Sequence, residues 1–222
     1  MVASFLLVLI HVGFPGALGR DVFAISLFAV PMFLAISGYF SYGAGPKVLG
    51  RRIVHILILN VITDVIHLAW NVVATELAGG SSVAYLIRAI PDPGEIIYYL
   101  TTQHNSFLGH LWYLLSVAIC YGILWAYVRF YGEDEVNYHN LYLAAGGLWI
   151  AYFAIGTILP LDGKVLAPMT YGNAWFYALP MFTLGIFLHE YQDRLMKNFR
   201  LNGKKLLGIV ALGMALCLAH KK

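Results

Sequence analysis

Four polar side chains recur inside one strongly apolar stretch of the sequence. Asn60, Asp64, His67 and Asn71 follow one another at intervals of four, three and four residues, so a helix would place all of them on one face. Ionisable groups persist in apolar surroundings only when they are paired or wetted. The stripe therefore predicts either the wall of a polar cavity, with Asp64 and His67 as an acid–base couple, or hydrogen bonds between packed helices.

Two further histidines stand where they could act on a hydroxyl group. His11 lies at the end of the first apolar run, and imidazole titrates close to physiological pH. It is therefore either a general base or a hydrogen-bonded structural residue. His110 precedes Trp112 and Tyr113 at the start of another apolar run. An aromatic belt at the membrane surface and a platform for a substrate are both open interpretations there.

The elements that carry these residues are expected to be membrane helices. Of the 222 residues, 60% are apolar and 11% are charged, whereas soluble domains have about 45–50% and 25%. The charges collect between apolar runs of about 20 residues, the length that crosses about 30 Å of hydrocarbon. We predict an all-α fold, a polytopic transmembrane bundle of six to seven helices surrounded by the lipid bilayer. The candidate spans are 1–14, 22–42, 53–73, 107–130, 141–159, 175–188 and 206–219.

The two terminal spans are shorter than the others. A helix of 14 residues rises only about 21 Å, which is too little for a whole crossing. We therefore expect a single integral membrane domain over residues 1–222 that is truncated at both ends. The stretch 79–106 contains an apolar segment, 96–100, that is also too short to span.

Basic residues near the span ends indicate how the chain is oriented. Counting crossings puts them on one side, and by the positive-inside rule that side is cytoplasmic. We expect a multi-pass protein of the cell membrane with a cytoplasmic N-terminus and with the loops 15–21, 79–106 and 160–172 outside. The basic residues are Lys47, Arg51, Arg52, Arg129, Arg194, Lys197, Arg200, Lys204 and Lys205.

The sequence lacks the motifs that are typical of several classes of protein. The basic residues are not gathered into a face with interleaved aromatic residues, so no nucleic-acid partner is expected. Cys120 and Cys217 stand in apolar runs without C-x-x-C spacing, and no metal or redox site is expected. The sequence has no G-x-S-x-G, H-E-x-x-H or P-loop pattern.

Four stretches of the chain form a recognisable series, and a weaker fifth covers residues 176–188. The four are Leu9-Ile10-His11, Val30-Pro31-Met32-Phe33-Leu34-Ala35-Ile36-Ser37-Gly38-Tyr39-Phe40, Arg51-Arg52-Ile53 and Gly109-His110-Leu111-Trp112-Tyr113-Leu114. In this order the series resembles the acyltransferase-3 family of integral membrane acyltransferases. Members of that family move an acyl group, often acetyl, onto hydroxyl groups of carbohydrates.

The resemblance implies roles for several residues. His11 would be the essential base in the first helix. Basic residues at the cytoplasmic end of the second helix would receive the phosphates of acyl-coenzyme A, because an arginine fork pairs with phosphate oxygens. Arg51, Arg52 and Lys47 are the candidates, with topological anchoring as their alternative role. We expect the cavity to be lined by Asn60, Asp64, His67, His110, Trp112 and Tyr113.

The implied activity is transfer of an acyl group from acyl-coenzyme A to a cell-surface carbohydrate or glycolipid. Acyl-coenzyme A, and acetyl-coenzyme A above all, would be a donor substrate, with no permanently bound cofactor. Family members usually carry more helices than this chain provides, and an arginine upstream of the histidine that would fall before Met1. The alternative from the residues alone is a membrane transporter or ligand-binding module with a polar path along the third helix.

The role of His11 can be tested in a full-length protein. His11→Ala should lower acyl transfer about 10²-fold or more while the protein still inserts into the membrane, because alanine has no lone pair to accept the hydroxyl proton. His11→Gln should not restore activity, since glutamine hydrogen-bonds but cannot carry the proton away. Activity of His11→Gln within a few-fold of wild type would make His11 structural. The next candidate base would then be His67.

Overall fold

The computed structural model describes residues 9, 16–103, 112–132, 136–155, 173–198, 205 and 208. Within these residues the regular structure is helical, and no β-strand occurs. The all-α prediction is therefore confirmed for this part of the chain. The elements are α1 (Gly16–Ser26), α2 (Ala29–Tyr39), α3 (Pro46–Leu77), α4 (Ser82–Ala89), α5 (Pro93–Thr102), α6 (Trp112–Tyr131), α7 (His139–Phe153), a π-helical turn (Ala174–Ala178) and α8 (Leu179–Asn198).

Two helices of the described residues, α3 and α6, are long and apolar enough to cross a membrane. With 32 residues, α3 rises about 48 Å, which exceeds the hydrocarbon core of about 30 Å. Helix α2 is apolar as well but has 11 residues. Length and composition support these spans, and the bundle of six to seven crossings stays a prediction.

Helix α3 is the longest element, and its boundaries follow from its sequence. Pro46 stands in the first turn, where a missing N–H costs no helical bond. At the other end Gly79 adopts a φ of 76°, and the N–H of Gly80 donates to the carbonyl of Thr75 at 2.9 Å. The predicted span 53–73 lies inside this helix. The same rigid element therefore carries the basic candidates and the polar stripe.

The predicted span 22–42 is wrong as a single helix. Helix α1 ends at Ser26, a turn follows, and α2 begins at Ala29. Pro31 explains the break, because it has no N–H for the carbonyl of Leu27 and its ring clashes with that carbonyl. Helix α1 begins at Gly16, so the predicted loop 15–21 is also helical from that residue onward.

The stretch 79–106 contains the two short helices α4 and α5. Asp92 and Glu95 form a capping box at the start of α5, with bonds of 2.8 Å to the Glu95 N–H and 3.2 Å from the Asp92 N–H. Pro93 occupies the first turn. Helix α5 includes the apolar segment 96–100, and its 10 residues are too few to cross a bilayer, as expected.

The region of the predicted span 175–188 begins as the π-helical turn and continues as α8. The Asn173 side chain caps the turn by accepting from the N–H groups of Trp175 and Phe176 at 3.0 and 3.2 Å. Pro180 stands in the first turn of α8. Helix α8 ends at Asn198, well beyond the predicted end, and its last turns carry charged residues.

The chain divides into two compact units. One unit takes its described residues from Met1–Tyr42 and Met181–Lys222, and the other from Gly43–Pro180. In the first unit, α2 and α8 cross with their backbones in contact. A Cβ on Gly38 would lie 1.8 Å from the carbonyl oxygen of Phe182, and a Cβ on Gly185 would lie 1.9 Å from that of Ala35. Two glycines thus allow the close approach, as small residues do between membrane helices.

Polar contacts extend this crossing toward the ends of both helices. The Tyr39 hydroxyl donates a hydrogen bond to Oε1 of Gln192. Nδ1 of His189 lies 2.8 Å from the Tyr39 carbonyl oxygen, so that nitrogen carries the proton. The imidazole also stacks on Tyr42, with ring centroids 4.9 Å apart. These contacts fix the relative rotation of α2 and α8.

The close contact between α2 and α8 predicts that a glycine-to-alanine substitution will change the thermal unfolding midpoint differently at two helical glycines. Gly185→Ala should lower the thermal unfolding midpoint, because the new Cβ can be accommodated only if a backbone moves. Gly147→Ala in α7 is the matched control, since a Cβ there meets nothing within 4 Å and alanine favours a helix by about 1 kcal/mol. Thermal unfolding in detergent measures both. A Gly185→Ala midpoint at or above wild type would contradict the crossing.

Candidate active site

The polar stripe of α3 faces the interior of the second unit. Asn60 is 8% exposed, and Asp64, His67 and Asn71 are half-buried. The intervening apolar residues take the outer face and are exposed: Val61, Ile62, Val65, Ile66 and Leu68. The helix therefore turns its polar side toward protein and its apolar side outward, as a helix in lipid should.

Asn60 and Asp64 are joined across one helical turn. Nδ2 of Asn60 donates to Oδ2 of Asp64 at 2.8 Å, and this bond orients the amide so that Oδ1 points away from the carboxylate. His67 interacts electrostatically with Asp64. Oδ1 of Asn60 and Oδ1 of Asp64 are both buried, and neither has a hydrogen-bond partner among the described residues.

Tyr99 of α5 joins this group from a second helix. The Asn60 amide hydrogen-bonds to the Tyr99 hydroxyl. Burial raises the pKa of Tyr99, and the nearby Asp64 carboxylate raises it further, against the opposing effect of the Asn60 hydrogen bond. The phenol therefore keeps its proton at neutral pH and is available as a donor. We call Asn60, Asp64, His67 and Tyr99 the polar cluster.

Gln103 holds α5 in place. It ends the helix with a φ of 58°, and its side chain is 0% exposed. Oε1 accepts a hydrogen bond from the Ala174 N–H at 2.7 Å, and Nε2 donates to the Leu100 carbonyl at 3.0 Å. A single buried amide thus connects the helix that presents Tyr99 to the π-helical turn.

Aromatic residues surround the π-helical turn. The Tyr177 ring lies 6.1 Å from Trp112 of α6 and 6.1 Å from Tyr152 of α7. Tyr113 is half-buried beside Trp112. Turns of this type wind the helix more loosely and often occur at functional sites. The turn lies between α6 and α7 and contacts Trp112, one of the two aromatic residues that the sequence had indicated.

Helices α3 and α6 run antiparallel. The guanidinium carbon of Arg52 lies 5.9 Å from the centroid of the Tyr121 ring, and a Cβ on Gly50 would lie 3.9 Å from Nε1 of Trp125. Since both helices rise equally per residue, the start of α6 comes level with the middle of α3. Trp112 and Tyr113 therefore lie at about the depth of the polar cluster.

The three basic candidates do not share one face of α3. Lys47 and Arg51 are four residues apart on the exposed side. Arg52 is about 100° round the helix from Arg51, half-buried over Tyr121. From Arg52 to Asp64 the helix rises about 18 Å. Arg52 and Asp64 are thus held at a fixed separation on one helix.

Some expected site residues cannot be placed. His11 and His110 lie outside the described residues, so their positions relative to the polar cluster stay predictions. Sequence reasoning missed Tyr99 and Gln103. The capping box Asp92-Pro93-Gly94-Glu95 was a usable sign of α5. Nothing in the local sequence marks Gln103 as buried, because its partner is a backbone N–H far along the chain.

A comparison with protein families matches residues 1–220 to the acyltransferase-3 family, described as an acyltransferase domain. The chain belongs to this family. It is accordingly an acyltransferase, in a family that is typically embedded in membranes, and α3 and α6 have the length and composition that such a location requires. No curated protein and no solved structure matches the chain.

Proposed function

We propose that this acyltransferase moves an acyl group, above all acetyl, from acyl-coenzyme A to a hydroxyl group of a cell-surface carbohydrate or glycolipid. The observation that carries the proposal is the arrangement of α3, with positive charge at one end and the polar cluster about 18 Å deeper. Acyl-coenzyme A has its phosphates and its thioester at opposite ends of an extended molecule. One rigid helix could therefore bind the phosphates and border the reaction site.

The donor would dock at the basic end of α3. Arg52 is the best candidate for binding the donor phosphates, because its guanidinium is already held over the Tyr121 ring. A guanidinium held in this way loses less conformational entropy when it pairs with a phosphate. Arg51 and Lys47 are exposed and add positive charge beside it.

The reaction would join the acceptor oxygen to the acyl carbon. His11 takes the proton of the sugar hydroxyl as the oxygen attacks the thioester carbonyl. The carbon–sulfur bond then breaks, and the coenzyme A thiolate leaves and receives that proton. Asp64 and His67 would line the cavity with Asn60, Trp112 and Tyr113, and positioning the hydroxyl beside a base adds to the effect of proton removal.

The proposal includes a location. The protein would be a multi-pass protein of the cell membrane with a cytoplasmic N-terminus, so that acyl-coenzyme A reaches Lys47, Arg51 and Arg52 from the cytoplasm. The rival function is solute transport, since a polar stripe inside an apolar helix would also serve a solute path. Acyl transfer that depends on the donor separates the two.

The donor site can be tested by kinetics on the full-length protein. Arg51→Ala and Arg52→Ala should each raise the donor KM about tenfold and leave the acceptor KM within about twofold, because each removes one charge-assisted phosphate contact. Arg88→Ala is the control, since it removes one exposed positive charge from the end of α4, which follows the opposite end of α3. If both α3 variants reach the membrane at normal levels and their donor KM is unchanged, these arginines only anchor the helix and do not bind the donor.

A further inference from the structure

The polar cluster has hydrogen-bonding capacity that the described residues do not use. Asn60 and Asp64 each have one buried oxygen without a donor, although their other side-chain atoms bond to each other. Two such acceptors within one turn of an apolar helix are unfavourable unless something donates to them. Asn60 is more than nine-tenths buried, so bulk solvent does not supply that donor freely.

The chemistry of the cluster restricts what can fill it. Oδ1 of Asn60 and Oδ1 of Asp64 accept hydrogen bonds, while the protonated hydroxyl of Tyr99 can donate one. A phosphate or carboxylate group offers acceptors and would be repelled by Asp64. An ammonium group offers donors alone, so it would leave the Tyr99 O–H without an acceptor. A sugar hydroxyl both donates and accepts. Two hydroxyls on neighbouring carbons could meet both oxygens at once.

We propose that Asn60, Asp64 and Tyr99 form a subsite that binds two neighbouring hydroxyl groups of an uncharged sugar ring. The inference rests on the proposed function, because it names the part of the acceptor that these residues hold. The subsite also gives a reason for the buried hydrogen bond that holds the end of α5. Gln103, fixed to the Ala174 N–H, keeps Tyr99 at the height of Asn60, so the subsite is formed before the sugar arrives.

Substitutions in the subsite should weaken binding of the acceptor and leave binding of the donor unchanged. Asp64→Asn keeps the shape of the side chain but replaces one acceptor oxygen by a donor group and removes the charge. Asn60→Leu removes both the oxygen and the bond that orients Asp64. Thr63→Val is the matched control in the same turn of α3, because the Thr63 hydroxyl bonds to the Leu59 carbonyl of its own helix. It leaves the polar cluster intact.

Binding is measured first without any acyl donor. The full-length protein is held in lipid nanodiscs, since sugar-based detergents would compete, and is heated with methyl glycosides of glucose, galactose, mannose and rhamnose. At least one should raise the unfolding midpoint of wild type and Thr63→Val by about 2 °C or more, and should not do so in Asp64→Asn or Asn60→Leu. No stabilisation of wild type by any of the four, or equal stabilisation of all variants, overturns the subsite.

Kinetics with the stabilising sugar then separate this inference from the proposed function. Asp64→Asn should raise the acceptor KM about tenfold with the donor KM unchanged. Acyl transfer with an unchanged acceptor KM in Asp64→Asn would overturn the subsite and leave the enzyme function standing. Sugar binding through the cluster without any donor-dependent transfer would instead support the subsite and contradict the proposed function.

Discussion

A carboxylate in the middle of a 32-residue apolar helix is the constraint on which the second unit depends. An ionisable group at mid-bilayer costs at least about 2.5–3.5 kcal/mol on insertion scales, so Asp64 requires polar neighbours. Asn60 provides one from the same helix, and Tyr99 comes from α5. Helix α5 in turn is held by Gln103 on the π-helical turn. A continuous set of polar contacts thus connects Asp64 to the π-helical turn through α5.

Helix α3 also sets the distance between the basic residues and Asp64. Since α3 is continuous from Pro46 to Leu77, Arg52 and Asp64 cannot approach each other, and a ligand that contacts both must extend along the helix. Arg52 lies against Tyr121 and Gly50 lies beside Trp125, so α6 supports the basic end of α3. A substrate with its charge remote from its reactive group fits this geometry, and acyl-coenzyme A is such a substrate.

Local patterns predicted the features of the fold that depend on local sequence. The four-three-four spacing from Asn60 to Asn71 gave a polar face, and the structure turns that face inward. The break between α1 and α2 was missed because the stretch 22–42 is mostly apolar and predicts a single span, and the effect of Pro31 falls four residues upstream. Gln103 and the Gly38–Gly185 crossing were missed because each depends on a partner distant in the chain. Periodicity reports which face is buried but not what packs against it.

Mass spectrometry of cell-surface carbohydrate would show whether the protein acylates it, as we propose. Polysaccharide and glycolipid are isolated from cells that carry the full-length gene, cells that lack it, and cells in which it is restored. A sugar residue should carry an acyl mass increment in the first and third samples and lack it in the second. Identical acylation in all three samples would rule out the proposed function.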